Sequence, residues 1–278
     1  MKLAVLSDIH SNLIALNLAI DDIKKENVDQ ICFLGDYVTD EGNDNEVLSL
    51  VKNISDYAIL GNREKYMLEY SPLKKGYNNY KTIYTSYNNL SDESLKYIKS
   101  LKQYYIIKVG DFNVLMIHGN QYYSDKEDIE KLFDRIIDNF DFDICLFGHS
   151  HIYLCRAYKH KVFINPGSVG DPCDYPSYKY CIIEITDKVN VTLKEFDTKD
   201  SFDKLVDHYK NSEYYKDNYA WANLILYLIR DGINYCCMFL EQFDKKIKDL
   251  GEITAEEFNK IWDDTFDDFK KAYHLELI

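Results

Sequence analysis

The sequence has little proline, no internal repeat and no low-complexity linker. Its four prolines in 278 residues and its hydrophobic content of 46% indicate a compact globular chain. This length is enough for one large domain, or for a domain with an appendage. The most apolar stretch, Trp221–Leu240, is interrupted by Arg230 and Asp231 and is too short to span a bilayer. We therefore predict a protein without a membrane partner.

Basic residues are also scarce. The 33 Lys and Arg residues are outnumbered by 47 Asp and Glu residues, which gives a formal net charge of −14. Proteins that bind nucleic acids or anionic membranes do so largely through a positively charged surface. The composition therefore predicts that nucleic acid is not a partner, and it disfavours a nuclease.

A disulfide framework and a signal peptide are missing as well. The seven cysteines are odd in number and lack framework spacing, which indicates free thiols in a reducing compartment. The apolar run at the N-terminus, Leu3–Leu6, is too short for a signal peptide and is soon followed by Asp8. We therefore predict a cytoplasmic protein.

What the sequence does contain is a set of short polar motifs, of which Ser7–Asn12 is the first. This motif lies between a predicted buried strand, Leu3–Leu6, and a helical pattern that begins at Leu13. Ligands bind at such strand ends in open α/β sheets, and alternation places Asp8 and His10 on one side of the chain. A carboxylate beside an imidazole suits a divalent metal. The alternative is a helix-capping aspartate beside a loop histidine.

Five further motifs follow in order, several of them directly after a short apolar run. They are Gly35-Asp36, Gly61-Asn62-Arg63-Glu64, His118-Gly119, Gly148-His149-Ser150-His151 and Asn165-Pro166-Gly167-Ser168. Together with the first motif, this ordered set resembles the calcineurin-like metallophosphoesterase superfamily and its small bacterial phosphodiesterase branch. The resemblance covers residues 1–196.

The hydrophobic pattern predicts an α/β fold. Apolar runs at 3–6, 31–34 and 57–60 alternate with helical patterns, which is typical of parallel βαβ units. Later runs at 105–109, 112–117, 144–147, 153–158, 161–165, 178–185 and 189–196 include tightly connected antiparallel strands. Between these groups, Ser71–Asn89 is predicted to be a loop with some helix. The resemblance implies that the strands form a four-layer αββα sandwich of two mixed sheets.

From Ser201 onward, the spacing of the apolar residues becomes that of helices. Trp221–Lys248 and Thr254–Leu275 have helical patterns, and the second begins with a capping box at Thr254. We predict a metallophosphoesterase domain over residues 1–196 and a helical C-terminal appendage, residues 197–278, packed on it. These helices could also pair in a homo-oligomer.

The resemblance implies two divalent metal ions, Mn²⁺, Fe²⁺ or Zn²⁺. The first would be bound by Asp8, His10 and His151, the second by Asn62, His118 and His149, and Asp36 would bridge them. Taken singly, Asp36 could instead be a turn residue, and Asn62 a turn or cap residue. The other three histidines, His160, His208 and His274, have no partner motif and are predicted to be structural or on the surface.

Arg63 departs from the family pattern, in which a histidine usually follows the Gly-Asn pair. Arginine stays protonated and is a poor general acid, but it can bind a phosphoryl oxygen. The alternative is an arginine paired with a surface carboxylate. Glu64 is predicted to orient a neighbour, and Ser168 either to support the site or to contact phosphate; the alternative for the motif that contains Ser168 is a simple turn. Asp171 and Asp174 are predicted to be solvated loop acids.

The resemblance implies a phosphoesterase in which a metal-bridging hydroxide attacks phosphorus, with Asp36, Asn62 and Arg63 as catalytic residues. The predicted substrate is a small phosphorylated, nucleotide-like molecule: a phosphodiester, a nucleotide or a dinucleoside polyphosphate. The alternative is a catalytically weak, metal-stabilised scaffold for protein interactions.

Overall fold

The computed structural model describes residues 1–70, 76–123, 127–276 and 278. The described strands are β1 Lys2–Leu6, β2 Gln30–Phe33, β3 Tyr57–Ala58, β4 Tyr104–Val109, β5 Phe112–Ile117, β6 Ile144–Phe147, β7 Tyr153–Tyr158, β8 Lys161–Pro166, β9 Ser177–Ile185 and β10 Val189–Asp197. The described helices are α1 Leu13–Ile23, α2 Asp44–Ile54, α3 Asn62–Leu68, α4 Asn78–Asn89, α5 Asp92–Ser100, α6 Ile129–Asn139, α7 Lys199–Lys210, α8 Glu213–Asp217, α9 Tyr219–Asp231, α10 Tyr235–Ile247 and α11 Ala255–Ala272.

The strands form two mixed sheets of five strands each. The first has the order β10-β9-β1-β2-β3 and the second the order β4-β5-β6-β8-β7. Strands β1, β2 and β3 are parallel, as are β5, β6 and β8, whereas β4, β7, β9 and β10 pair antiparallel with their neighbours. The carboxyl ends of the parallel strands therefore lie at one edge of each sheet.

Three apolar cores fill the space between the layers of helices and sheets. The core between the sheets contains Val5 and Ile183 from the first sheet and Leu146 from the second. A second core covers the other face of the first sheet with α1, α2 and the C-terminal helices. A third covers the far face of the second sheet with α6, where Phe133 stacks on Phe163 at 4.0 Å between ring centroids. The predicted αββα sandwich is confirmed.

Three of the predicted boundaries are wrong in detail. Strand β3 ends at Ala58 rather than at residue 60: the Ile59 amide still donates to Phe33 O of β2, but Ile59 also bridges Lys102, and the Leu60 amide donates to Lys102 O. Residues 221–248 form two helices, since Gly232 ends α9 with a φ of +65°. The predicted loop over 71–89 is mainly α4; its first five residues lie outside the described part of the chain.

The C-terminal helices share a core with the first sheet. Nine of the thirteen residues of α9 are buried, and Trp262 of α11 is fully buried against Phe239 of α10. Leu224 and Leu226 of α9 belong to the same apolar core as Leu6 of β1. None of the helices in the described ranges is both long and apolar enough to cross a membrane.

Candidate metal centre

The polar motifs meet where strands of both sheets end. Asp8 follows β1 and Asp36 follows β2, and the two loops are hydrogen-bonded: the Asp8 amide donates to Gly35 O, and the Ile9 and His10 amides donate to Asp36 O. His118 follows β5 in the second sheet, and the Gly148 amide, after β6, donates to its carbonyl. The parallel topology thus brings together residues that are far apart in sequence.

One cluster of possible metal ligands consists of Asp8, His10 and His151. Their ligand atoms all lie within 4.8 Å of one another. The two Nε2 atoms of His10 and His151 are 3.3 Å apart, and His151 Nε2 is 3.4 Å from Asp8 Oδ1. Two ligands of one tetrahedral metal with bonds of about 2.05 Å would be about 3.4 Å apart, so the spacing fits a shared ion.

A second cluster consists of Asp36, His118 and His149, with Asn62 beside it. His118 Nε2 lies 3.3 Å from Asp36 Oδ2 and 3.0 Å from Asn62 Oδ1. The same Asp36 Oδ2 atom is 3.9 Å from His10 Nε2 in the first cluster. The Asp36 carboxylate therefore lies between the two clusters.

Hydrogen bonds orient three of the imidazoles so that Nε2 faces the clusters. His118 Nδ1 is 2.8 Å from Leu34 O, and His151 Nδ1 is 2.6 Å from Asp171 O. Since a carbonyl only accepts, each Nδ1 carries a proton, and Nε2 is left as a lone pair in the neutral ring. His10 Nδ1 is likewise 3.0 Å from the carboxylate of Asp40.

This arrangement brings unshared electron pairs together. In their neutral forms His10 and His151 present two lone pairs to each other, and His118 presents one to the Asn62 oxygen. A cation between the atoms, either a metal ion or a proton, is needed to relieve this repulsion. The donor set of imidazole nitrogens and carboxylate and amide oxygens therefore fits divalent metal ions.

The pKa shifts of the ligands agree with a need for positive charge. Burial alone would lower the pKa of His10 and His118, but Asp171 and Asp40 around His10, and Asp36 beside His118, raise each to about 9. Burial and the neighbouring His118 lower the pKa of His149 to about 4. Protons and metal ions would compete for these two imidazoles, as is usual at such sites.

The backbone of the site is strained. Five of the seven predicted ligands have φ values between +49° and +70°, namely Asp8, His10, Asp36, His149 and His151. Non-glycine residues rarely adopt this region, and clusters of them are typical of functional sites. The predicted motifs contain glycines, but most of the strain is carried by the ligands themselves.

Glu64 orders the loops that carry Asp36 and Asn62. Its buried carboxylate accepts hydrogen bonds from the amides of Asp36, Tyr37 and Gly61 at 2.7–3.0 Å. A Cβ atom at Gly61 would lie 2.2 Å from Asp36 Oδ1, so only glycine allows this approach. Each of these hydrogen bonds fixes the backbone of a predicted ligand or of the residue next to one.

Two buried acids behind His10 were not foreseen as part of the site. Asp40 accepts hydrogen bonds from Thr39 Oγ1 and from Trp221 Nε1, at 2.9 and 2.8 Å, in addition to its contact with His10. Through Trp221, helix α9 of the C-terminal region is connected to a predicted metal ligand. Nothing in the local spacing around Asp40 pointed to this role.

Asp171 is the second of these acids, and its prediction as a solvated loop residue is wrong. It is 3% exposed, its Oδ2 lies 3.7 Å from His10 Nδ1, and burial raises its pKa. The Gly170-Asp171 pair repeats the Gly-Asp pattern at Asp36, which was an available signal. Asp174, by contrast, is exposed as predicted.

Arg63 is one of the residues that line a cavity beside the two clusters. Its backbone amide donates to Asp36 Oδ1 at 2.8 Å, and its Nη2 is 3.4 Å from Asp40 Oδ2. Within the described chain its buried Nε has no hydrogen-bond partner. The carboxylate that faces Arg63 is that of Asp40, which is buried, whereas the alternative prediction was a surface carboxylate. The guanidinium keeps N–H donors that are not used by Asp40.

Ser168 and the three remaining histidines lie apart from this cavity. Ser168 is buried; its Oγ donates to Asp8 O and accepts from the Asp171 amide, both at 2.7 Å. It therefore links two loops of the site. His160, His208 and His274 are exposed on the surface.

A family model described as the calcineurin-like phosphoesterase superfamily domain matches residues 1–188. The chain belongs to this superfamily. The assignment expected from the motifs is thereby confirmed, and the two ligand clusters agree with the metal dependence of its members.

Three similar proteins each align with more of this chain than the 188 residues that the family model matches. An uncharacterized protein of Methanocaldococcus jannaschii is 32% identical over 225 residues, which are 73% of this chain and 91% of that protein. A crystal structure of a metallophosphoesterase from Sphaerobacter thermophilus has a TM-score of 0.61 at 25% identity, covering 74% of this chain and 94% of that one. A hypothetical protein of Pyrococcus horikoshii shares the fold, with a TM-score of 0.60, 19% identity and coverage of 78% and 97%.

Proposed function

We propose that the protein is a dinuclear metal-dependent phosphoesterase. The observation that supports this most directly is the Asp36 carboxylate, which faces His118 at 3.3 Å and His10 at 3.9 Å and so could bridge two ions. Two bound ions, Mn²⁺, Fe²⁺ or Zn²⁺ for a site of nitrogen and oxygen ligands, would supply a bridging hydroxide as nucleophile and neutralise phosphoryl oxygens.

In this proposal each cluster binds one ion. Asp8, His10 and His151 bind the first, while His118, His149 and Asn62 bind the second. Asp40 and the Leu34 and Asp171 carbonyls keep three of the imidazoles in the tautomer that exposes Nε2. The strained loops hold the ligands in place before the metals arrive, which lowers the cost of assembling the site.

Arg63 binds a phosphoryl oxygen in the transition state. It lines the same 480 Å³ cavity as His10, Asp36 and His149, and its side chain is 23% exposed, so part of it can be reached by a substrate. A guanidinium opposite developing negative charge stabilises the transition state electrostatically. Arg63 cannot give up a proton at neutral pH, so it cannot protonate the leaving group as the group departs.

This chemistry favours substrates with acidic leaving groups. Nucleotide anhydrides, dinucleoside polyphosphates and aryl phosphodiesters have them, whereas simple alkyl monoesters do not. We therefore propose a small nucleotide-like substrate with an acidic leaving group.

A scaffold without strong catalysis is the second candidate. Ile233, Leu250 and Tyr273, which lie just beyond the ends of the C-terminal helices, are 39–48% exposed, as a surface for a partner or a second copy would be. The presence of all seven ligand residues at the clusters favours an enzyme. Phosphate release from aryl phosphates with and without Mn²⁺ separates the two candidates.

The role of Arg63 predicts a steep dependence of rate on leaving-group acidity. We expect kcat/KM to fall sharply along a series of phosphate esters as the leaving-group pKa rises. The Arg63→Ala variant should lose on the order of 3 kcal/mol of transition-state stabilisation, about a hundredfold in rate. Arg63→His should recover part of the alkyl ester cleavage, because an imidazole can donate a proton.

Arg63→Lys is the matched control, since it keeps the charge but loses the planar pair of donors. It should fall between the wild type and Arg63→Ala. A flat dependence in the wild type, or a normal rate for Arg63→Ala, would show that another residue serves the leaving group. Metal content is measured for every variant, so that loss of metal is not mistaken for loss of the arginine contact.

A further inference from the structure

A second cavity adjoins the candidate metal centre, and five of its eleven described lining residues are aromatic. It has a volume of about 580 Å³, within the range of small-molecule sites. Its aromatic lining residues are Tyr66, Tyr70, Tyr80, Trp221 and Trp262. Tyr66 lies on α3, Tyr70 follows that helix and Tyr80 lies on α4, while the C-terminal helices α9 and α11 provide the tryptophans. The family match ends at residue 188, so the tryptophan side of the cavity lies outside the matched domain.

The two cavities are neighbours with a shared wall. Asn62, Arg63, Trp221 and Leu240 line both of them. A molecule with one group at the metal clusters can therefore place another group among the aromatic rings. Arg63 lies at this boundary, where a phosphoryl group and the rest of its molecule would be joined.

The shared wall is rigid on the tryptophan side. Trp221 Nε1 donates to Asp40 Oδ1 at 2.8 Å, and the Trp221 ring lies 6.2 Å from that of Trp262 between centroids. Trp262 is fully buried, with the Phe239 ring at 4.7 Å and the Phe243 ring at 4.9 Å. Trp262 therefore supports the partly exposed Trp221 ring, and an aromatic ring held in this way can stack on a planar ring at little entropic cost.

The charges of the cavity indicate which end of a substrate it accepts. Arg63 is at the boundary with the metal centre, whereas Glu69 is an acidic residue of the aromatic cavity, together with the amide of Asn79. A carboxylate repels phosphate but accepts hydrogen bonds from the amino and ring N–H groups of a base. The aromatic cavity is therefore suited to a planar ring with N–H donors and not to a second phosphate.

We propose that this cavity binds the nucleobase of a nucleoside phosphate whose phosphoryl group lies at the metal centre. The assignment rests on the proposed phosphoesterase function and names the part of the substrate that the C-terminal helices recognise. Stacking on aromatic side chains contributes most of the binding, and Glu69 and Asn79 contact the edge of the base.

Binding of the base can be measured without catalysis. The chain has two tryptophans, and both line this cavity, so intrinsic tryptophan fluorescence reports on its occupation. We expect adenosine and adenosine monophosphate to quench the fluorescence, and ribose 5-phosphate, which has no ring system, to leave it unchanged. Tyr66 is 43% exposed, so Tyr66→Ala should keep the fold and weaken adenosine binding roughly tenfold.

The matched control is Tyr104→Ala. Tyr104 is 48% exposed on β4 and contacts Phe140 instead of the cavity. This variant should bind adenosine as the wild type does. If phenol binds as tightly as adenosine, the cavity is a general aryl site, and the nucleobase assignment is wrong.

A kinetic comparison connects the base to the reaction. Thymidine 5′-(4-nitrophenyl) phosphate and methyl 4-nitrophenyl phosphate have the same leaving group, so the ratio of their kcat/KM values measures the contribution of the nucleoside alone. We expect a ratio of about ten or more in the wild type, falling toward one in Tyr66→Ala.

The two proposals fail in different ways. Equal rates for the two esters, with no quenching by adenosine, would overturn the nucleobase site and leave the phosphoesterase function supported. Quenching by adenosine without hydrolysis of either ester in the presence of Mn²⁺ would support the binding site and overturn the phosphoesterase.

Discussion

Replacing Asp36 with asparagine is expected to weaken the binding of both metals at once. In the proposed centre its Oδ2 is shared by the two clusters, so losing the negative charge removes one ligand from each ion. Substitutions around metal ligands typically cost 10- to 100-fold in affinity or activity, and we expect a larger loss for the shared ligand itself. Activity should fall by more than about a hundredfold.

Asparagine is the informative replacement because it keeps the local structure. Asp36 Oδ1 accepts a hydrogen bond from the Arg63 amide at 2.8 Å, and an asparagine oxygen can still accept it. Metal content is measured by elemental analysis after dialysis. The rise in Tm on addition of Mn²⁺ provides a second measurement, since ligand binding to the folded state raises Tm.

Asp187→Asn is the control for the loss of one negative charge. Asp187 is exposed in the turn between β9 and β10, so this variant should keep the metal content, the Tm response and the rate. If Asp36→Asn kept full metal content and full activity, the bridging role would be excluded.

Truncation after Phe196 is expected to leave a chain that aggregates or unfolds. Leu224 and Leu226 of α9 belong to the core that covers the first sheet, so removing the helices would expose the outer face of that sheet. Burial of each such side chain contributes about 1.5–3 kcal/mol, and typical domains are stable by only 5–15 kcal/mol. Trp221 would also be lost from Asp40.

A point substitution tests the same packing while the chain stays whole. Phe269 is fully buried on α11, and Phe269→Ala should lower the free energy of unfolding by about 3–5 kcal/mol. Thermal unfolding and the amount of monomer after purification are the measurements. A truncated protein with an unchanged Tm and full activity would show that residues 197–278 are not needed by the domain.

The strands and the ligand types were predictable because both depend on local sequence. Short β-branched and aliphatic runs predicted the strands of both sheets, with errors of a few residues at their ends. The histidines in the motifs were distinguished from the exposed ones by their place after such runs. The resemblance supplied the order of the ligands, and the structure brings those residues into two clusters.

The parts that the sequence did not reveal depend on contacts between distant segments. Asp40 and Trp221 are 181 residues apart, and the role of Asp40 follows from that contact and from its contact with His10. Asp171 looked like a loop acid because the sequence does not show which loops are covered. The left-handed backbone of the ligands is also imposed by the surrounding loops, since isolated residues of these types avoid it.

The sequence by itself therefore determined which side chains are available for metal chemistry and which strands deliver them, because hydrophobic period and residue type are local properties. The tertiary structure alone decided what surrounds the candidate metal ligands. Helices α9 and α11 follow the matched domain in the chain, yet they form one wall of the aromatic cavity, and α9 contacts Asp40 behind His10 through Trp221. Their place depends on the burial of apolar faces across the whole molecule, which no local pattern records.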